Sequence, residues 1–374
     1  MNHKIKKYIN TKLADKKWQP SSTPPKNTYD TIITIPCYNE YDYIFKTLDS
    51  INNQNSTILE KTLVSIVINN SIEEHESILL NNRKTYEKLK SSIYNFDFFV
   101  VDAFSGNKAI ESKYSGAGMA RKISVDCALN YLNIDSLICF IDADTILSND
   151  YLSCIQASYD RHKWKAATVN FSHQNDEPKT KKLIKDYEKY LKETSLKIKK
   201  SGSPYCYVSL GSTMVCTYLS YISVGGMNRK IASEDFYFLQ ELQKYCGVKQ
   251  INDILIYPSS RYVSRLYLGT SMRLQKILDG ELDLSSLYFS DFSYDILNNW
   301  ITLALSSKDK KYNNLIIEIE NINPSLLDFL SKINLEKAWE AIASSPSYDH
   351  FEKQFHRWFD ALCIFKLLKF YTKS

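Results

Sequence analysis

The stretch Leu137–Tyr151, LICFIDADTILSNDY, decides the fold. Leu137, Ile138, Cys139, Phe140 and Ile141 suit a buried strand and end abruptly in Asp142 and Asp144, while the Ser-Asn-Asp that follows can cap a helix starting at Tyr151. In open α/β sheets ligands sit outside the carboxyl ends of the strands. Two carboxylates one residue apart at such an end are placed to hold a hard divalent cation, through oxygen ligands, against a substrate phosphate. The plainer reading of the same residues is a solvated loop after a core strand, so the rest of the chain has to decide.

Working outward, the same grammar recurs. Upstream, Asp30–Ile35 is a β-branched run that ends at Pro36, and after CYNE comes a helical pattern with Ile44, Phe45, Leu48 and Ile51 on one face. Leu63–Ile68 reads as a second strand ending in Asn69, Asn70 and Ser71, and Phe96–Val101 as a third ending at Asp102, with a helix through Tyr86 and Leu89 between them. Gly116, Ala117 and Gly118 open a helix with Arg121 and Lys122 in its first turn; glycines permit close backbone approach, and a helix N-terminus beside an arginine favours an anion. A glycine-rich turn with a solvated arginine is the competing reading. Downstream, Tyr151–His162 reads as a helix, Ala166–Phe171 as a strand and Lys179–Lys200 as a lysine-rich amphipathic helix. Tyr207–Thr217 is strand-like but interrupted by Gly211 and Ser212, and Val248–Tyr257 is a further strand. Between these lie the loop Gly225, Gly226, Met227 and a helix start at Glu234 and Asp235, with Ser233 as its cap. Strands alternating with helices imply a mostly parallel α/β sheet flanked by helices. The alternation stops near Leu274, where a helical pattern takes over, so three regions are expected: an N-terminal tail or arm over 1–28, a sheet domain over 29–273 and a helical region over 274–374.

Composition narrows the class. The 374 residues, 44% hydrophobic and 24% charged, can bury a large core, which excludes global disorder. A net charge of +5 demands no nucleic-acid partner. The eight cysteines show neither a Cys-x-x-Cys pair nor zinc-type spacing and read as reduced core residues of a cytoplasmic protein. No apolar run reaches membrane-spanning length, and the N-terminus has no apolar signal region.

Four features thus fall at strand ends or helix starts of one βαβ array: Pro36–Glu40, Gly116–Arg121, Asp142 with Asp144, and Glu234 with Asp235. In this order they resemble the family 2 glycosyltransferases of GT-A fold, in which a PxYNE-like stretch, an Asp-x-Asp and a later Glu-Asp recur, and the resemblance spans roughly Thr28–Arg273. It implies a Rossmann-like GT-A sheet and an inverting transfer of one sugar from a nucleotide-diphosphate sugar to an acceptor hydroxyl. Pro36, Tyr38, Asn39 and Glu40 match the nucleotide-contacting first loop, Asp142 and Asp144 the metal and diphosphate motif, Gly226 and Met227 of GGMN the acceptor-side loop, and Asp235 the catalytic base. Glu234, Arg261 and Arg265 are placed on the acceptor side, and Arg121 against the diphosphate. Arg121→Ala is accordingly expected to weaken donor binding while leaving the fold intact. Two departures matter. Where the family usually has an aspartate after the second strand to read the base, this chain has Asn69 and Asn70, with Asn70 taken as the reader; and the Gln-x-x-Arg-Trp motif of processive members is missing, which points to single-sugar transfer.

The chemistry suits these residue types. Cleavage at the anomeric carbon builds charge on the diphosphate, which Mn²⁺ or Mg²⁺ on Asp144 and Asp142 would offset, and Asp235 would take the acceptor proton. The acceptor implied is a glycan or glycolipid of a bacterial surface. The alternatives are a catalytically silent nucleotide-sugar-binding or scaffold protein of the same fold, or a nucleotidyltransferase, although the latter would want a glycine- and lysine-rich signature where IPCYNE stands. Finally, Phe351–Ser374 reads as one amphipathic helix, for packing or for peripheral contact with the inner face of a membrane.

Overall fold

The computed structural model describes residues 3–175, 181–261 and 270–372. It comprises two compact units, one of Met1–Lys185 with Ser209–Leu278 and one of Asp186–Val208 with Asp279–Ser374.

The first unit is built on eight strands: β1 Tyr29–Cys37, β2 Thr62–Asn69, β3 Asp97–Ala103, β4 Leu132–Phe140, β5 Ile146–Leu147, β6 Ala166–Phe171, β7 Met214–Thr217 and β8 Lys249–Tyr257. They form one sheet in the order β3-β2-β1-β4-β7-β6-β8-β5. Pairing is parallel among β3, β2, β1 and β4 and between β6 and β8, whereas β7 runs antiparallel to both its neighbours and β5 antiparallel to β8. This mixed, mostly parallel sheet flanked by helices is a GT-A-like α/β fold. Every residue of β2, TLVSIVIN, is buried, as expected for a parallel strand covered by helices on both faces. Pro36 sits inside β1 opposite Val67 of β2. Its missing N–H does no harm, because the Thr34 carbonyl two residues earlier faces β4 and accepts from Ile141, so residue 36 faces the same side just past the end of β4 at Phe140.

The N-terminal segment packs on this unit. Its helix, His3–Thr11, buries Tyr8, whose hydroxyl donates to Asp126 at 2.8 Å; Asp126 also pairs with Lys122 at 3.0 Å and accepts from the Ala14 N–H at 2.7 Å. Each charge of this buried pair therefore has hydrogen-bonded partners, without which the desolvation would be strongly unfavourable.

Three local expectations need correction. The run Tyr207–Thr217 is strand only over Met214–Thr217, because Gly211–Thr213 forms a 3₁₀ turn. Ser233 stands at the helix start but has a left-handed backbone, φ 60°, and its side chain does not cap the Glu234–Cys246 helix. The C-terminal pattern is two helices, Tyr348–Trp358 and Ala361–Thr372, because Asp360 starts a new one by accepting from the Cys363 N–H through its side chain and from Ile364 through its carbonyl.

The second unit is helical, with a core centred on Trp300, Trp339, Phe351, Phe355, Phe359 and Leu367, all at most 1% exposed. The apolar faces of its last two helices are consumed there. Among the described residues, no helix is long and apolar enough to cross a membrane.

Candidate functional site

The Asp142–Asp144 turn is held from four directions. The Asp142 N–H donates to Ser212 Oγ at 3.0 Å, the Ala143 carbonyl accepts from Thr47 Oγ1 at 2.9 Å, the Asp144 carbonyl accepts from Gln174 Nε2 at 2.8 Å, and the Thr145 N–H closes onto the Asp142 carbonyl at 3.1 Å. With its backbone fixed, the turn directs its two carboxylates to different partners. Asp142 is engaged at both oxygens, Oδ1 by Arg121 Nη2 and Oδ2 by Ser212 Oγ at 2.8 Å. Asp144 Oδ2 pairs with Arg261 Nη2 at 2.7 Å. Burial pushes the Asp144 carboxyl up, Arg261 pulls it back, and Asp142 adds to the rise.

Two arginines organise the carboxylates. Arg121, 2% exposed, binds Asp142 through Nη2 and Glu234 through Nη1. It is confined by Gly211, where a Cβ would stand 2.0 Å from Nη2. Arg261 binds Asp144 and Glu40 through the same Nη2 and lies over the Tyr43 ring, 4.1 Å from its centroid. Glu40 follows Asn39, which has a left-handed backbone at φ 58° and whose N–H donates to Asn82 Oδ1 at 2.9 Å. Glu234 and Asp235 likewise follow left-handed Ser233, so both carboxylate-bearing loops turn through a left-handed non-glycine residue.

Asp235 is half-buried and accepts from the Phe236 N–H at 2.7 Å. Burial, with the neighbouring Glu234 charge, pushes its carboxyl up to about 7, against the pull of Arg121. A carboxylate poised near neutrality can exchange a proton at ordinary pH. The loop before it is packed against the Gly116–Gly118 turn: a Cβ at Gly116 would meet the Ile231 carbonyl at 2.3 Å and one at Gly118 the Asn228 carbonyl at 2.7 Å. Asn228 Nδ2 in turn donates to the Glu234 carbonyl at 3.0 Å. The close approach that these glycines permit is made to protein backbone. Gly226, φ 74°, lies against the Tyr8 hydroxyl, and Met227 is buried.

The structure thus brings together Glu40, Arg121, Asp142, Asp144, Glu234, Asp235 and Arg261. Pro36 and Tyr38 are half-buried at the end of β1 and just after it. Arg265 lies outside the described residues. Asn70 does not join the group. It is wholly buried, with Nδ2 donating to the Ser71 and Phe104 carbonyls at 2.7 and 3.2 Å and Oδ1 accepting from Asn82 at 2.8 Å, so no part of its amide is left to read a base. The neighbouring Asn69 differs: its Oδ1 is buried and finds no donor among the described residues. Residue reading weighed Asn69 with Asn70 but took Asn70, and it gave no role to Ser212, Tyr43 or Asn82. For Ser212 a signal existed, the lone Gly211 inside a strand-like run, which marks a close backbone approach.

A divalent cation fits the donor set in kind, since Asp142 and Asp144 offer the oxygens that Mg²⁺ and Mn²⁺ prefer. The two differ in availability, because both oxygens of Asp142 are already committed. No cluster of three or more metal-binding side chains occurs among the described residues. Asp144 is therefore the aspartate that would hold the ion, with substrate oxygens and water completing its shell.

No family model matches the sequence, and no curated protein matches it. Among solved structures, the chain is similar to TarS 1–349 of S. aureus in complex with UDP-GlcNAc, at 15% identity over 87% of this chain and 91% of that one, with a TM-score of 0.46. It is also similar to the mannosyltransferase PcManGT from Pyrobaculum calidifontis in complex with GDP-Man and Mn²⁺, at 14% identity over 98% and 88% of the two chains and a TM-score of 0.42.

Proposed function

We propose that the protein is a glycosyltransferase that moves a single sugar from a nucleotide-diphosphate donor to an acceptor hydroxyl with inversion. The observation that carries this reading is the pairing, at the carboxyl ends of β1 and β4 and one helix start, of a buried Arg121 and a half-buried Arg261 with four carboxylates, beside an Asp235 whose carboxyl is pushed up to about 7 by burial and Glu234. Such a set can divide the labour of transfer. Arginine charge would offset the charge that grows on the departing diphosphate, and Asp235 would accept the acceptor's proton. A bound Mn²⁺ or Mg²⁺ would add Lewis-acid stabilisation of the same diphosphate. Asn69 Oδ1, which finds no donor among the described residues at the end of β2, is the acceptor assigned to receive an N–H from a nucleobase in this reading. The acceptor is a glycan or glycolipid in this reading.

The alternatives would leave these groups idle. A silent binding protein would need no proton acceptor, and a nucleotidyltransferase whose attacking group is already an anionic phosphate oxygen would need none at the Asp235 position. Calorimetry with a panel of nucleotide sugars, each with and without Mn²⁺, is the test. Metal-dependent binding of at least one donor, followed by slow hydrolysis of the sugar, is the expected result. Binding of nucleoside triphosphates in preference to every nucleotide sugar would favour the nucleotidyltransferase, and binding without any turnover would favour the silent protein.

A further inference from the structure

The two arginines of the site are not equivalent. Arg121 is enclosed, with its fork split between Asp142 and Glu234 and with Gly211 closing one side. Arg261 reaches the site after β8 and Pro258, its side chain 16% exposed, and one nitrogen, Nη2, bridges Glu40 Oε1 and Asp144 Oδ2 while the guanidinium carbon lies over the Tyr43 ring. One nitrogen shared by two carboxylate oxygens brings an edge of the delocalised guanidinium charge onto both. It stands where the oxygens of Glu40 and Asp144 converge, and an incoming cation that needs Asp144 must compete for the same oxygens.

We propose that Arg261 is an internal counter-ion for the empty site, holding Glu40 and Asp144 together in the free protein and giving up Asp144 when a divalent cation arrives. This deepens the transfer reading, from which it takes the divalent cation. Three physical points favour exchange over permanent pairing. The contact is partly solvent-reached, so breaking it exposes charge to water and avoids the large cost attached to a fully buried pair. Glu40 and Tyr43 continue to hold the guanidinium when Asp144 leaves, so Arg261 is not cast loose. A hard dication also carries twice the charge of the guanidinium and takes carboxylate oxygens directly as ligands. The consequence is an ion affinity held down in the absence of substrate: if Arg261 occupies Asp144 about nine-tenths of the time, the apparent dissociation constant is raised about tenfold.

The experiment uses Mn²⁺ alone as probe, with the full chain and no nucleotide, and reads binding by calorimetry and by loss of the free-ion paramagnetic signal. Arg261→Gln is expected to bind Mn²⁺ about tenfold more tightly than the wild type, Arg261→Lys to remain near the wild type because it keeps a cation, and Arg261→Gln with Asp144→Asn to lose the gain. Tyr43→Leu, which loosens the guanidinium without touching a carboxylate, is expected to tighten Mn²⁺ binding by a smaller factor and serves if Arg261→Gln fails to fold. Unchanged or weaker Mn²⁺ binding in Arg261→Gln, or in Tyr43→Leu where that variant stands in, overturns the proposal, as does a gain that survives Asp144→Asn. If the Arg261→Gln gain appears while no nucleotide sugar binds any variant, the counter-ion role is supported and the transfer reading fails by itself.

Discussion

Gly211 lies so close to Arg121 that a Cβ at residue 211 would stand 2.0 Å from the guanidinium Nη2. No side chain fits there while Arg121 keeps its bonds to Asp142 and Glu234. Gly211→Ala must therefore push the guanidinium off its carboxylates or shift the turn that carries Ser212, and overpacking of this kind costs about 1–3 kcal/mol. Urea unfolding is expected to show that loss, and donor binding is expected to weaken with it. An alanine variant with wild-type stability would mean that the contact relaxes without consequence.

Arg121→Ala is expected to damage the fold as well as the site. Its buried guanidinium compensates Asp142 and Glu234 together, and removing one partner of a buried ion cluster costs about 3–5 kcal/mol because charge is left uncompensated. This reverses the sequence-based expectation of an intact fold. Thermal unfolding should rank wild type above Arg121→Lys and Arg121→Lys above Arg121→Ala, since lysine restores the charge but cannot reach both carboxylates with a fork.

His356 gives the helical unit an acid sensitivity. It is buried, its Nδ1 has no partner among the described residues, and burial lowers its ring to about 4. In the unfolded chain the ring titrates near 6.5, so between roughly pH 6.5 and 4 the unfolded state binds the proton that the folded state refuses. Stability supplied by the neutral ring is whole above that window and is lost as pH falls through it, by roughly 3 kcal/mol at most. Comparing urea midpoints of the wild type and His356→Gln at pH 7 and pH 4.5 isolates the term. The wild type should lose the more of the two on acidification; equal losses would assign the acid sensitivity to other groups.

The strand-end pattern was legible because it is local. Apolar runs closing on Pro36, Asn69, Asp102 and Asp142 need only a few residues each to be recognised, and they located the sheet and the strand ends that carry Glu40, Asp142 and Asp144. What joins the site is not local. Arg121 meets Glu234 across 113 positions and Arg261 meets Glu40 across 221, and no periodicity encodes such pairings. Asn69 and Asn70 show a finer limit. Their side chains leave the chain in opposite directions, but every position of β2 is buried on both faces, so alternation could not tell which one faces the ligand side. The break at Asp360 was hidden for another reason: the apolar spacing of Phe355, Phe359 and Ile364 runs on across it, and only the capping residue marks the end. The assignment of Asp186–Val208 to the helical unit has no composition shift to announce it.

If Asp235 is the base of the proposed transfer, it sets the pH dependence of that reaction. A general base must be deprotonated, and this carboxyl is held up to about 7, so kcat/KM is expected to fall as pH drops below about 7 and to level off above it. Arg121 opposes that rise through its positive charge, so an Arg121→Gln enzyme that folds should show its acid limb displaced to higher pH. A profile flat between pH 5 and 8 would remove Asp235 from proton transfer.

The two acidic motifs are assigned different work, and paired substitutions separate them. Asp144, bonded to Arg261 and offered to a cation, should be needed for metal-dependent donor binding itself, so Asp144→Asn is expected to lose that binding. Asp235 touches no other side chain through a direct ion pair among the described residues, and its role begins only when an acceptor hydroxyl is deprotonated. Asp235→Asn should bind donor and metal nearly as the wild type does. Its transfer rate, however, should fall by about 10²–10⁴-fold, the range for loss of a positioned general base, with little change in the donor KM. Substituting asparagine also removes a charge that burial and Glu234 disfavour, so above pH 7 this variant is expected to unfold at a higher temperature than the wild type while remaining slower. Donor calorimetry with and without Mn²⁺, transfer rates and a melting curve at pH 8 test the scheme together. If Asp235→Asn loses donor binding as completely as Asp144→Asn, Asp235 belongs with the cation; if it transfers sugar at the normal rate, it is only a carboxylate at a helix start.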